Sequence, residues 1–424
     1  MHTVLRSIRR THGGIRPCLW SRLQSTSSTT KTPTTPLPIP SIPPRPEEPT
    51  PYVTTAQIRE YIAPLYTRFW AVNYFHREIL LREGELVEES FVAPGLNRAF
   101  TFRDFAAASN FLKDVEDIAG KEQHIPSITV RGSRLVSGTP HVEIASWTAQ
   151  TVDAPSLLTP GESRIGPGIT LKDARLAILL EKKFDESYLT NDIGVPSTKR
   201  PSRHTREPST LEAITARQRK LDGVVLKREA SQKLVVAEPK VGRHPIPNAP
   251  AASEGMCGDE EFANVLVPLF SRGWSVWYKG GTFHEGENVI ASQVASLVGF
   301  FRFKSFDDCV ALAQEILALA QKENVHDAVI SIDANTVTVE RLLRRTAEQD
   351  IPINDARFAV LVEQLVSDKY HHKLRDSNVY SIQRRAYPSS VEELKMHQFG
   401  RKSSRIRARA KDANASNAVR AAAA

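Results

Sequence analysis

The chain has 424 residues, 41% of them hydrophobic and 25% charged, with a formal net charge of +8 and three cysteines. That length and balance suit two or three domains with ordinary buried cores. Without a CxxC or a Cys/His cluster, neither a zinc site nor a disulfide framework is expected, and no apolar run approaches the ~20 residues that span a bilayer, so no membrane association is expected either.

Seven basic residues, Arg6, Arg9, Arg10, Arg16, Arg22, Lys31 and Arg45, precede the first acid, Glu47. An acid-free, Arg- and Ser/Thr-rich amino terminus has the composition of a mitochondrial presequence, and "SRLQS" places the cleavage point just before Ser25. Residues 1–24 are therefore assigned to a presequence and the mature protein to the mitochondrial matrix, the alternative being a disordered basic arm. Residues 25–52, "KTPTTPLPIPSIPPRPEEPTP" at their heart, read as a proline-rich linker.

Two stretches then signal an internal repeat. "PLYTRFWAV" from Pro64 and "PLFSRGWSV" from Pro268 share Pro, Leu, an aromatic, a hydroxyl residue, Arg, Trp and Val. The correspondence continues in order: "LNRAFTFRDF" from Leu96 with "LVGFFRFKSF" from Leu297, and "DARLAILLEKKF" from Asp173 with "DARFAVLVEQLV" from Asp355. Ordered matches at changing offsets indicate one unit written twice.

Each unit predicts the same elements in the same order. An opening helix ends near Pro64 or Pro268, and a strand starts at Trp70 or Trp274, the two tryptophans serving as core anchors. The Phe-rich strand leads into a helix with Phe105, Ala108, Leu112, Val115 and Ala119 on one face, or Phe306, Val310, Ala313, Leu317 and Ala320. Asp104 and Ser305 stand where N-caps belong, Ser305 with Asp308 at capping-box spacing. "VEIA" from Val142 and "VTVE" from Val337 alternate as half-buried strands. The last helix starts at Asp173 or Asp355, read as its caps, and buries Leu176, Ala177 and Leu180, or Phe358, Ala359 and Val362. The fold class expected is α+β: two tandem modules, at 53–185 and 259–367, each a four-stranded antiparallel sheet with helices packed on one face. Residues 186–258 read as a flexible linker with a helical segment near "LEAITARQRKLDG", and 368–424 as a basic tail.

The order of these elements resembles the pterin-4a-carbinolamine dehydratase family, over about 240 of the 424 residues as two degenerate copies. The residues that carry the resemblance are Gly273–Trp274 and Phe69–Trp70, then Phe303, Lys304 and Phe306 or Phe102, Arg103 and Phe105, then "GITLKD" and "DIPIND" before the last helix. The resemblance implies a cofactor-free elimination of water from a 4a-hydroxy-tetrahydropterin by histidine acid-base chemistry, in a fold that also self-associates. The family's "HHP" becomes "HIP" at His124, Ile125 and Pro126, and "VHD" at Val325, His326 and Asp327; the third histidine's place after "WT" holds Ala149. Each copy keeps one candidate catalytic residue, His124 or His326. Imidazole suits proton transfer near neutrality, whereas Ile, Val and Ala transfer no proton. The other reading of both histidines is a helix-end residue favoured by the dipole and solvated at its tip.

"YHHK" at His371 and His372 reads as solvated surface, with no metal implied. "RKSSRIRARAK", from Arg401 to Lys411, holds six basic residues and no acid, which suits salt-sensitive phosphate contacts with nucleic acid or a solvated terminus. Two function classes stand: a matrix dehydratase weakened by its incomplete histidine set, with a pterin substrate, and a non-catalytic scaffold or assembly factor that binds a protein partner or a further copy of itself through sheet or helices.

Overall fold

Alternating stretches become strands and three-or-four-spaced stretches become helices in the computed structural model. It describes residues 38–80, 88–132, 139–155, 163–191, 193–195, 208–218, 244–253, 255–285, 288–325, 327–342 and 351–375. The assigned presequence, the basic stretch from Arg401 and His326 lie outside the described residues.

The first half opens with helical turns Thr55–Gln57, Ile58–Ile62 and Ala63–Tyr66, started by a reciprocal box between Thr54 and Gln57. There follow β1 (Ala71–Leu80), β2 (Glu88–Phe102), α1 (Phe105–Glu122), β3 (Ser127–Gly132), β4 (Pro140–Ser146), the hairpin β5 (Thr148–Pro155) and β6 (Ser163–Gly168), α2 (Leu171–Phe184) and the short β7 (Gly194–Val195). A helix at 211–218, α3, stands between the halves. The second half repeats the order: turns Asp259–Glu261, Phe262–Leu266 and Val267–Ser271, then β8 (Ser275–Glu285), β9 (Asn288–Arg302), α4 (Phe306–Lys322), β10 (Ala328–Asp333), β11 (Thr336–Leu342) and α5 (Ile353–Leu365).

The helix faces are those the spacing predicts. All five named residues of α1 and all five of α4 are buried, as are the three named in α2 and the three in α5. Asp104 and Ser305 accept the amides of Ala107 and Asp308 at 2.7 and 3.2 Å, closing both N-termini. Trp70 and Trp274 are almost wholly buried. The two aspartates of the last helices are not caps of the expected kind. Thr170 is the N-cap of α2, with Asp173 at the third position of its box, and α5 starts after Pro352 with no side-chain cap.

The sheets of the two halves are continuous. Strand order is β1-β2-β4-β3-β10-β11-β9-β8, with β7 added beside β2, and all pairs are antiparallel. Each half supplies four strands in matching order, joined where Ile128 faces Ile332 and Val130 faces Ile330. Instead of two separate four-stranded sheets there is one, because β3 and β10 would otherwise be edges with a row of unpaired backbone groups. Ser127 Oγ donates to Asp333 Oδ1 across the seam at 2.6 Å, and Gln314 Nε2 on α4 donates to the Ser109 carbonyl on α1 at 2.8 Å.

Parts of the assigned linkers pack on the body as well. Val53 N–H bonds the Ile169 carbonyl at 3.0 Å, and Cys257 N–H bonds the Ile351 carbonyl at 2.9 Å. Upstream of each, a proline-bearing strap is tied down by an arginine of the last helix. Arg175 reaches the Pro43 carbonyl and Arg357 the Pro250 carbonyl, while each also forks onto a carboxylate, Glu122 or Glu323. Proline segments lack donors, so the carbonyls are what a strap can offer. Within the assigned flexible linker, α3 buries Ile214.

Candidate functional site

His124 sits just beyond α1, after Gln123, whose left-handed backbone (φ 51°) ends the helix and turns the next side chain inward. Its Nε2 lies 2.8 Å from Asp173 Oδ1 and 3.0 Å from Ser146 Oγ, and the serine donates to the same Oδ1 at 2.6 Å. The other carboxylate oxygen, Oδ2, accepts from the Thr170 amide at 2.8 Å, the Thr170 hydroxyl at 3.0 Å and the Thr148 hydroxyl at 3.1 Å. Asp173 is fully buried and His124 is 8% exposed, so this is a closed network and not a solvated helix end.

Burial by itself pushes the Asp173 carboxyl up. The charge and hydrogen bond of His124, with the Ser146 hydroxyl and the Thr170 amide, outweigh it and hold the group below the usual carboxylate range. The Nε2 edge of His124 is thus committed to an internal carboxylate. Around it, Ile125 is 48% exposed and Ala149 exposed, so both present hydrocarbon to the outside.

The second half answers the same physical demand with different residues. Val325 takes the place of His124: its amide bonds the Ala320 carbonyl as that of His124 bonds Ala119. Arg341 stands opposite Leu297 in β9 as Ser146 stands opposite Leu96 in β2. Its guanidinium pairs with Asp355, Nε at 3.1 Å, and with Asp327, and it is 5% exposed. A guanidinium is a poor proton donor or acceptor near neutrality, so Arg341 brings an ion-pairing group where the first half has a serine, and no imidazole. His326, the candidate of this half, lies outside the described residues.

A second pair of clusters explains why both opening stretches carry Arg and Trp. Glu181 on α2 accepts from Arg68 Nε and from Trp70 Nε1, each at 2.6 Å. Glu363 on α5 accepts from Arg272 Nε at 2.7 Å and from Trp274 Nε1 at 3.1 Å. In the first half, Arg68 also bonds Asp185 and Arg98 pairs with Glu181. Burial, with Arg68 nearby, pushes the Arg98 guanidinium down to about 9. In β9 a glycine, Gly299, takes the place of Arg98 and leaves room for the Trp274 ring.

Sequence reasoning missed Glu181, Glu363, Ser146, Arg341 and Asp327. The available signal was the shared Glu nine positions into both "DAR" segments, an acid inside an otherwise apolar helix face. Among the described residues no group of three His, Cys, Asp or Glu side chains could hold a metal ion, and no helix is long and apolar enough to cross a membrane. His371 and His372 are exposed. Compared with known proteins, the chain matches no protein-family model, no curated protein and no solved structure.

Proposed function

We propose that this protein is a catalytically degenerate relative of the pterin-4a-carbinolamine dehydratases that works in the mitochondrial matrix as a binding or assembly component. The observation that carries the reading is the fate of the two buried aspartates. Each is satisfied from within the fold, Asp173 by hydrogen bonds to His124, Ser146, Thr148 and Thr170 and Asp355 by the Arg341 guanidinium. Elimination of water from a 4a-hydroxypterin needs one group to accept a proton and another to assist hydroxide departure. With its Nε2 edge bonded to Asp173 and Ser146, His124 is a structural hydrogen-bond partner, and Arg341 supplies no proton.

The test is a steady-state dehydration assay on wild type, His124→Ala, His326→Ala and the double variant. Wild type is expected to fall short of an active dehydratase by on the order of 10²-fold or more. His124→Ala is expected to lower stability without lowering whatever rate remains. Full dehydratase activity in wild type overturns the proposal and restores the enzyme reading, and its loss in His326→Ala alone would then assign the chemistry to that residue. Co-sedimentation from mitochondria before and after nuclease separates a protein partner from a nucleic acid bound through the basic stretch at Arg401–Lys411.

A further inference from the structure

The two straps are one sequence used twice. Residues 38–43 read "PIPSIP" and residues 245–250 read "PIPNAP", and in each the last proline carbonyl is the one that the arginine of the last helix holds. Ile39 and Ile246 occupy the same place in the motif, and both lie half-buried against the core. A segment that repeats with the module and seats the same way in both halves marks a surface that reads that motif.

What the surface reads is plainest in the second half. The carbonyls of His244, Pro247 and Pro250 accept from Arg272 Nη1 at 3.2 Å, Gln364 Nε2 at 3.3 Å and Arg357 Nη1 at 2.7 Å. These acceptors stand three apart, and a polyproline helix has three residues per turn, so all three line one side of the strap. Ile246 and Ala249, also three apart, pack on the core, while Pro245 and Asn248 are exposed. The helix offers its donors at the matching interval. Gln364 and Arg357 are seven residues apart on α5, roughly 10 Å, and Pro247 and Pro250 are three apart on the strap, roughly 9 Å.

The two guanidiniums are already balanced within the fold. Arg272 also bonds Glu363 at 2.7 Å and Arg357 forks onto Glu323, so the N–H groups they turn to the strap call for neutral carbonyls and not for an anion. A proline-rich chain offers such carbonyls with few amides of its own, and its preformed helix loses little entropy on docking. Residues 244–253 join no strand, so the strap can leave without opening the sheet.

We propose that the face of α5 from Arg357 to Gln364, together with Arg272, is a docking site for a proline-rich segment of a partner protein. The segment it fits is P-I-P-x-x-P with a small or apolar fifth residue, and the chain's own strap is its resident, displaceable occupant. This rests on the proposed binding role and deepens it by naming the partner's chemistry.

Two labelled peptides test it on the full-length protein, HPIPNAPAA from the second strap and LPIPSIPPR from the first. In the Ile246→Asp, Ala249→Asp variant, whose own strap is unseated, both are expected to bind saturably by fluorescence anisotropy while the α5 amides stay protected from exchange. Adding Gln364→Ala should weaken binding about three- to tenfold, and glycine in place of each peptide proline by about tenfold or more. In wild type the tethered strap competes at an effective concentration on the order of mM, so ~10 mM peptide should displace it and speed exchange at the His244 amide, which donates to Ser271 Oγ. Absence of binding to the opened chain with α5 still protected overturns the proposal, as does binding indifferent to Gln364→Ala or to the glycine peptide. Unchanged exchange at His244 in wild type overturns it without recourse to the variant. No arm measures dehydration, so this proposal and the proposed loss of catalysis fail separately.

Discussion

A carboxylate sealed from water needs a cation or several donors, and Asp173 and Asp355 show two ways of meeting that need. Removing Arg341 leaves Asp355 and Asp327 facing each other without their shared cation. Arg341→Met is expected to lower stability by about 3–5 kcal/mol, read from the urea midpoint, and Asp355→Asn in the same chain to recover much of it. Asp173 is held below the ordinary carboxylate value, so its folded state binds the proton less readily than the unfolded chain. Its contribution is complete above about pH 4, the unfolded value, and is lost as pH falls through the lower folded value. Asp173→Asn should accordingly flatten the acid-side fall of the urea midpoint, and an unchanged slope would deny the carboxylate that role. Backbone strain enters at one matched position. Phe69 (φ 70°) and Gly273 (φ 101°) both adopt the left-handed region before the buried tryptophan. A Cβ at Gly273 meets nothing within 4 Å, so Gly273→Ala is expected to cost only the backbone term, about 1–2 kcal/mol by thermal or urea unfolding.

Among the elements, the last helix of each half does the most joining. Leu176, Ala177 and Leu180 of α2 fill the core, Glu181 holds Arg68 and Trp70, and Arg175 ties Glu122 and the strap carbonyl of Pro43. The same positions in α5 repeat this through Glu363 and Arg357. Each arginine fork is a set of charge-assisted bonds at a partly shielded site. Arg175→Ala and Arg357→Ala should each cost about 1–3 kcal/mol. They should also speed hydrogen exchange at the strap amides of Val53 and Cys257, which the seam strands would not share. Loss of stability with the straps still protected would mean that the arginines serve the helices alone.

At the scale of the molecule, the described residues form one compact unit, and the continuous sheet is the reason. Four residue pairs join β3 to β10, and α1 packs on α4, so neither half can unfold without exposing the other's central strand and helix. Calorimetry should give one transition with calorimetric and van't Hoff enthalpies close to equal; two resolved transitions would show that the halves unfold separately. How much of this was legible in the sequence follows from the range of each interaction. Helix faces, the N-caps Asp104 and Ser305, the order of elements along each half and the duplication itself were readable, because three-or-four spacing, alternation and ordered repeats are local or internal to the chain. The sites were less so. His124 was visible as a residue type at the end of a helix, but its burial depends on Ser146 and Asp173, 22 and 49 positions away. Arg341 carried no signal in the sequence; the register of β11 on β9 is what places it opposite Leu297 and pairs it with Asp355. By itself the sequence determined the elements and their twofold repetition; tertiary structure alone decided that β3 and β10 close one sheet and that the histidine pocket became a sealed hydrogen-bond network around Asp173. Edge pairing and charge compensation are set by which distant groups meet once water is excluded, and no local pattern encodes that meeting.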